Sequence, residues 1–529
     1  MIETQVLVIG GGATGTSIAR DLALRGVACV LVERDDLNAG ASGRNHGLLH
    51  SGARYVAHDQ AAAEECRHEG AVLKRLAPQC IEETGGLFAA VQGDDERYVA
   101  DFPGFCARAG IEAQELSVDE ARTLEPALSP RTIAAYRVPD ASIDPFKLSL
   151  QSMAHAEQLG ARLLRRTAVV GFEREGDRVV ATRLRHGLTG AEEHVRAEVV
   201  VNAAGAWARE IAALAGQDVP MLYSKGTLLV THARVAHHVL NRLRPPSDAD
   251  IVMPGGTVSI VGTTSVSVPD LTDIAPTVAE VDRIVEESSA LVPGLDDIRY
   301  IRAYAGVRPL ISAGTAADGR AVSRGFALID HGPTGATNLV TISGGKLTTC
   351  RLMAERTVDW VCERLGLRAP CRTLIEPLPV AAAYEWTEPG LSARTWMRDR
   401  GDDALLCECE MVSRRNVDAV AEAVRSDGAR MLLVDLALRS RLGKGACQGA
   451  FCAVRATAHL YDRGLLTGDR GLHERLQFYR ERWRGQRPVL WGEQLAEAEL
   501  AEAVHSGLHG LELLARGATT DPGAEGAKP

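Results

Sequence analysis

Residues 2–33 read IETQVLVIGGGATGTSIARDLALRGVACVLVE, and this stretch decides the fold. Val6 to Ile9 is a continuous apolar run, and Gly10, Gly12 and Gly15 fit G-x-G-x-x-G. Ala13 to Arg25 carries Ile18 and Leu22 at helical spacing, with Arg20, Asp21 and Arg25 expected on its outer face. A second strand, Val27 to Val32, ends at Glu33. The order strand, turn, helix, strand gives each glycine a task. Gly10 permits the tight turn, Gly12 lets backbone approach a pyrophosphate, and Gly15 lets helix and strand pack closely. The helix start at Ala13 and Thr14 offers unpaired N–H groups to an anion, and Glu33, followed by Arg34, stands where a ribose hydroxyl is met. An adenine dinucleotide is implied; the bland alternative is a glycine-rich structural turn.

Three later segments favour FAD over NAD. Ala39 to Tyr55, AGASGRNHGLLHSGARY, is dense in Gly, Ser, Asn and His, a composition for backbone wrapped round a cofactor, with Ser42, Asn45, His46 and Gly47 as candidate contacts. Ala197 to Gly205, AEVVVNAAG, is a buried-strand pattern ending in small residues, which nominates Ala204, Gly205 and nearby Trp207. Thr341 to Thr349, TISGGKLTT, leads into a helix from Cys350 to Leu365, so Gly344, Gly345, Lys346, Leu347 and Thr348 surround a second helix start. Between these pieces the pattern turns antiparallel. Asp248 to Pro254 and Thr257 to Thr264 flank Gly255-Gly256 as a hairpin, and Lys225 to His232 is another strand. Helices are expected at Ala61 to Ala77 and Val278 to Leu291. The fold class is therefore α/β: a discontinuous Rossmann-type nucleotide-binding domain interleaved with an antiparallel-sheet substrate domain, the site lying between them.

The 529 residues suffice for several cores, and 46% hydrophobic with 24% charged residues excludes a disordered or fibrous chain. A net charge of -10 without basic clusters argues against nucleic acid. No run approaches a membrane span, and the N-terminus enters a strand without a leader pattern, so any membrane association is expected to be peripheral. Of the 11 cysteines, four gather in one segment. Cys407 and Cys409 form C-x-C, and Cys447 and Cys452 form C-x4-C within GACQGAFC. Four thiolates amid glycines suit an iron–sulfur cluster, whose sulfurs take backbone N–H bonds. Structural zinc and unligated thiols are the rivals, and the C-x-C spacing disfavours zinc.

Together GGGATGTSIARDLALRG, GRNHGLLHSGARY, AYAGVRPL, ISGGKLTTCRLMAE, the paired cysteine motifs and ERWRGQRPVLWG (481–492) resemble the catalytic subunits of bacterial anaerobic glycerol-3-phosphate dehydrogenases, over nearly the whole chain. The resemblance implies an FAD-dependent oxidoreductase that oxidises sn-glycerol 3-phosphate, occupying residues 1–375. Its FAD-binding parts would be about 1–60, 145–215 and 325–370, with a substrate domain of about 61–144 and 216–324. A linker, 376–403, would lead to a domain at 404–460 similar to bacterioferritin-associated ferredoxin. There Cys407, Cys409, Cys447 and Cys452 would hold a [2Fe–2S] cluster, before a helical extension and tail at 461–529. It also implies two partner subunits. One would contain a second flavin; the other, an iron–sulfur protein, would dock on the inner face of the cell membrane and pass electrons to a quinone in anaerobic respiration.

Charge gives a separate argument about substrate. A phosphate dianion needs two or three fixed cations in an enclosed cleft, and the motif-borne candidates are Arg54, Arg308, Arg324 and Lys346. All four, with Tyr55, match substrate-lining positions of related aerobic flavoenzymes. Those relatives carry a histidine where Leu228 stands, which leaves Arg308, Lys346 and His50 as candidates for the proton acceptor. The rival functions are an FAD amine or 2-hydroxy-acid oxidase of the same architecture, and a non-catalytic component of a redox assembly. A leucine stripe from Leu495 to Leu511 is expected to pack into a core.

Overall fold

The computed structural model describes residues 1–272, 274–312, 325–385, 396, 398–399, 401–426 and 431–517. The opening strand runs Ile2–Ile9, the helix Ala13–Leu24 and the second strand Cys29–Val32. These two strands and Glu192–Asn202 lie side by side in parallel, Ile9 opposite both Val32 and Asn202. Glu192–Asn202 then pairs in parallel with Leu339–Gly344 through Val200 and Leu339. Apolar residues on both faces explain why the sheet is covered on both sides: Leu7, Val8 and Val201 are inaccessible to solvent. Each such fully buried aliphatic side chain contributes roughly 1.5–3 kcal/mol. Because the four strands are parallel, the turns at Gly10, Glu33, Ala203 and Gly344 emerge along one edge, where open α/β sheets bind ligands.

The helix Ala13–Leu24 is sandwiched against helices Pro145–Gln158 and Cys350–Arg364. Arg20 and Asp21, expected outside, are consequently buried. Arg20 donates to the carbonyls of Glu376 and Pro377 and to His155, while Asp21 pairs with Arg25 at 2.7 Å. A helix covered from two sides keeps polar residues inside when each finds a partner.

A second sheet of nine strands, nearly all antiparallel, contains Met221–Thr231 paired along its length with Tyr300–Ile311. The hairpin turns one residue later than its glycine pair suggested. Ile251–Gly255 and Val258–Gly262 place Gly255 opposite Val258, so Gly256, with φ 73°, and Thr257 make the turn. Val239–Arg242 lies parallel to Gly86–Val91, an exception no local pattern signals.

One apolar cluster runs from Val6 and Ile18 through to Val417, Leu436, Cys452 and Phe478, so the cysteine segment packs directly on the nucleotide-binding layer. A buried ionic network reinforces the joint. Asp36, just beyond the second strand, accepts from Arg439 at 2.7 and 2.9 Å and from Arg165 at 3.3 Å. Burial alone would raise the Asp36 carboxyl, but the Arg439 and Arg165 guanidinium groups hold it below its ordinary range. The terminal leucine stripe does not form a core. Leu495, Leu500 and Leu508 are largely exposed and Leu511 alone of the stripe is buried, because among the described residues no layer covers the outer face of helix Glu493–His505. Among the described residues, no helix is long and apolar enough to cross a membrane.

Candidate active site

A cavity of about 1410 Å³ opens along the carboxyl edge of the parallel strands and continues beneath the second sheet. Its nucleotide end is built from the predicted turns. Gly10 has φ 111°, and a Cβ there would lie 2.6 Å from the Ala203 carbonyl oxygen, so a side chain is excluded on two grounds. Gly12 precedes the helix, and Gly15 lies inside it, where a Cβ would come within 1.9 Å of the Gly10 carbonyl oxygen. Gly15 is thus a packing residue that does not line the cavity. The Ala13 N–H donates to Ser42 Oγ at 2.9 Å, and Thr14 follows on the lining. Glu33 accepts from the N–H of Gly11 at 2.7 Å and of Asp35 at 2.8 Å, and burial raises its carboxyl despite those bonds. Arg34 stacks 4.9 Å over the Trp207 ring.

The loop after Glu33 is held by its own polar residues. Asn45 donates to the Ser42 carbonyl at 2.7 Å and accepts from the Gly47 N–H at 2.8 Å. Ser42, Asn45 and His46 line the cavity; Gly47, at φ 75°, instead faces a neighbouring cleft. Ala204, Gly205 and Trp207 form the opposite wall, tied down by the Ser343 hydroxyl, which donates to the Gly205 carbonyl. Gly344 and Gly345 have φ of 87° and 70°, consecutive left-handed residues that bring Lys346 and Leu347 to the cavity. Thr348 sits behind them, its hydroxyl accepting the His50 N–H at 3.2 Å.

At the other end the candidate substrate residues converge. His50 Nε2 is 3.4 Å from the Tyr55 hydroxyl, and Lys346 Nζ lies 5.1 Å over the Tyr55 ring. Burial, reinforced by His46, Arg54 and Lys346, holds His50 well below the usual imidazole value. Burial with Arg308 and Arg54 pushes His46 down to about 3. Both imidazoles are therefore neutral at pH 7, and neutral imidazole is the form that accepts a proton. Arg54 is held at 2.8 Å by the buried Asp250 carboxylate. Arg308 contacts Ser224, Thr263 and the Thr264 carbonyl. Arg324 lies outside the described residues. Leu228 is buried within the sheet and does not line the cavity.

Two residues that no sequence motif nominated matter here. Asp250 orients Arg54, and Gly226 clears the path of Arg308: a Cβ at 226 would meet its guanidinium nitrogens at 2.5 and 2.7 Å. Gly226 pairs directly with Gly306 across the sheet. Two glycines opposite each other in long strands were the available signal, since such strands give up packing for close approach.

The four clustered cysteines come together as a closed ring. The Cys407 thiol contacts those of Cys409 and Cys452, and the Cys447 thiol contacts the same two. Backbone N–H groups of Glu410 and of Gly449 and Phe451 point at Cys407 and Cys447 respectively, and a Cβ on Gly445 would lie 2.4 Å from that of Cys409. Among the described residues, no group of three or more His, Cys, Asp or Glu side chains is disposed to hold a metal ion.

Residues 5–360 match the family of FAD dependent oxidoreductases abbreviated DAO. The chain belongs to this family. Its relatives include the A subunit of the anaerobic glycerol-3-phosphate dehydrogenase of Escherichia coli, 42% identical across 96% of this chain and 97% of that protein. The protein of the same name from Haemophilus influenzae is 39% identical across 96% and 94%. Among solved structures, the glycerol-3-phosphate dehydrogenase from Bacillus halodurans, complexed with FAD, superimposes with a TM-score of 0.61 at 21% identity, over 93% of this chain and 96% of that one. Glycine oxidase from Geobacillus kaustophilus gives 0.57 at 20% identity over 72% of this chain and 100% of its own. At such identities the structures speak for the fold of this FAD-dependent oxidoreductase, and the sequence relatives for its family.

Proposed function

We propose that this FAD-dependent oxidoreductase oxidises the C2 alcohol of sn-glycerol 3-phosphate to dihydroxyacetone phosphate. The observation that carries the reading is the gathering of Arg54, Arg308 and Lys346 around neutral His46 and His50, in the cavity whose far end is the glycine cradle. The names of the anaerobic glycerol-3-phosphate dehydrogenase relatives support the same substrate. The cradle fits FAD: Gly10 and Gly12 leave room for a pyrophosphate, Glu33 for a ribose, and Ala204, Gly205 and Gly344 to Leu347 for the ring system. When bound, FAD supplies the two-electron acceptor for the C2 hydrogen.

Arg308 and Lys346 grip the phosphate, and Arg54, held by the Asp250 carboxylate that it shares with Arg244, helps to orient it. Tyr55 walls the carbon skeleton. His50 takes the hydroxyl proton at Nε2, the ring nitrogen facing Tyr55. The substrate loses that proton and one hydride equivalent, two electrons in all. A bound dianion offsets the very cations that depress His50, so substrate improves its own base.

Cys407, Cys409, Cys447 and Cys452 would hold a [2Fe–2S] cluster; the thiol ring and the N–H groups aimed at it suit that ligand set. Held there, such a cluster would supply one-electron transfer, suited to flavin-containing and iron–sulfur partner subunits and a quinone acceptor at the membrane. The substrate assignment is tested anaerobically: sn-glycerol 3-phosphate bleaches the flavin absorbance of the purified protein. Bleaching by sarcosine, D-amino acids or 2-hydroxyglutarate in its place defeats it. For the cluster, Cys409→Ser loses bound iron while keeping flavin; iron-free wild type rules the cluster out.

A further inference from the structure

A second cleft, of about 2110 Å³, runs between the second sheet, the loop after the second strand and the C-terminal segment, and shares the loop residues Arg44 to His46 with the first cavity. Its lining is rich in cations with unmet donors. Lys444 Nζ is shut off from solvent without a hydrogen-bond partner among the described residues, and lies 3.5 Å over the Phe146 ring. The Nε atoms of Arg482 and Arg302 are buried and equally unsatisfied. Arg482 spends one terminal nitrogen on the Gln448 side-chain oxygen at 2.8 Å, and Arg302 reaches the half-exposed Glu481 at 3.3 Å.

The acids nearby are committed elsewhere. Asp144 caps helix Pro145–Gln158 through the N–H groups of Phe146 and Lys147 and pairs with Arg441 at 3.3 Å. Glu410 pairs with Arg441 and accepts from Thr257. The remaining cations repel one another in series, Lys444 feeling Arg482, Arg482 feeling Arg302 and Arg302 feeling Arg44, while Arg482 is also drawn by Glu481 and the Cys447 and Cys452 sulfurs. Burial chiefly, with Arg441 and Arg482, pushes the Lys444 ammonium down to about 7 against the pull of Asp144. Burying unpaired donors on like charges is costly, and a fold tolerates it where a ligand supplies the acceptors.

We propose that this cleft is a binding site for a phosphate group, held by Lys444, Arg482 and Arg302 with Arg44 at its flavin-side end. Several donors strung along one wall match the tetrahedral, multiply charged oxygens of phosphate better than the two coplanar oxygens of a carboxylate. The group is either free phosphate or the head of a larger ligand, for which the cleft has room. The site adjoins the substrate cavity at Arg44 and does not depend on the activity proposed above.

Equilibrium dialysis of labelled inorganic phosphate against the FAD-loaded protein tests it. Phosphate binding should persist in Arg308→Ala, which disables the substrate end, and weaken by about 10-fold or more in Lys444→Met, the loss expected for one charged hydrogen-bonding partner. Arg302→Gln serves as a second variant and should weaken binding similarly; flavin content and the thermal transition report whether each variant is folded. Displacement by AMP at lower concentration than by phosphate identifies the head of a larger ligand, and indifference to AMP identifies the free ion. Absence of binding outside the substrate cavity in wild type, or binding lost in Arg308→Ala but unchanged in folded Lys444→Met and Arg302→Gln, overturns the proposal.

Discussion

Gly226→Ala is the most informative single change at this site. The new methyl group would overlap the Arg308 guanidinium, with contacts of 2.5 to 2.8 Å, and the three nearest atoms all belong to that side chain. The clash falls on the far end of a flexible side chain, so the side chain moves and the backbone stays. Stability should hold or rise, since replacing glycine within a strand gains roughly 0.5–1 kcal/mol through the unfolded state. Catalysis should suffer. A displaced Arg308 loses its charge-assisted contact with the phosphate, about 1.5–3 kcal/mol, which corresponds to roughly 10- to 150-fold in kcat/KM. The assay is steady-state dye reduction with sn-glycerol 3-phosphate, beside a flavin absorbance spectrum and a thermal melt. In an Arg308→Met background the same alanine should add almost nothing, because the two changes act through one interaction. Unchanged kcat/KM in a folded, flavin-loaded Gly226→Ala protein would refute the placement of Arg308 at the phosphate, and multiplicative effects in the double variant would refute the route through Arg308.

Other perturbations probe the frame around it. Gly15→Ala sets a Cβ 1.9 Å from the Gly10 carbonyl oxygen, a backbone clash that cannot be relieved by side-chain motion, and should yield protein with little bound flavin on purification. Asp36→Ala leaves Arg165 and Arg439 buried without their shared carboxylate and should destabilise the chain by about 3–5 kcal/mol in denaturant titration. His50 is depressed from an unfolded value of 6.5, so the unfolded chain binds the proton first. Its contribution to stability is full above about pH 6.5 and declines as pH falls, by about 1.4 kcal/mol per unit, and His50→Asn should flatten that part of the curve of melting temperature against pH.

The nucleotide-binding half was legible because its constraints are local. Gly10, Gly12, Gly15 and Glu33 must stand at fixed spacings between two apolar runs, and the structure returns the strand, turn, helix and strand that the spacing demands. The motif-borne residues Arg54, Tyr55, Arg308 and Lys346 also came from short signatures, and they do meet in one cavity. Errors arose where neighbours distant in sequence decide the outcome. Arg20 and Asp21 look like a solvent face until two further helices cover them, and the leucines after 493 look like a core stripe until the fold leaves their face open.

The amino-acid order alone determined where the chain must turn tightly, where backbone must come close to a ligand, and which four sulfurs have neighbours of suitable type. Only the tertiary structure decided that Asp250 occupies Arg54, that Gly226 makes way for Arg308, that His46 and His50 are neutral, and that Lys444, Arg482 and Arg302 bring unmet donors to one cleft. The physical reason is range. Backbone sterics and periodicity act over a few residues, whereas burial and Coulomb interaction depend on which groups folding brings within several ångströms of each other.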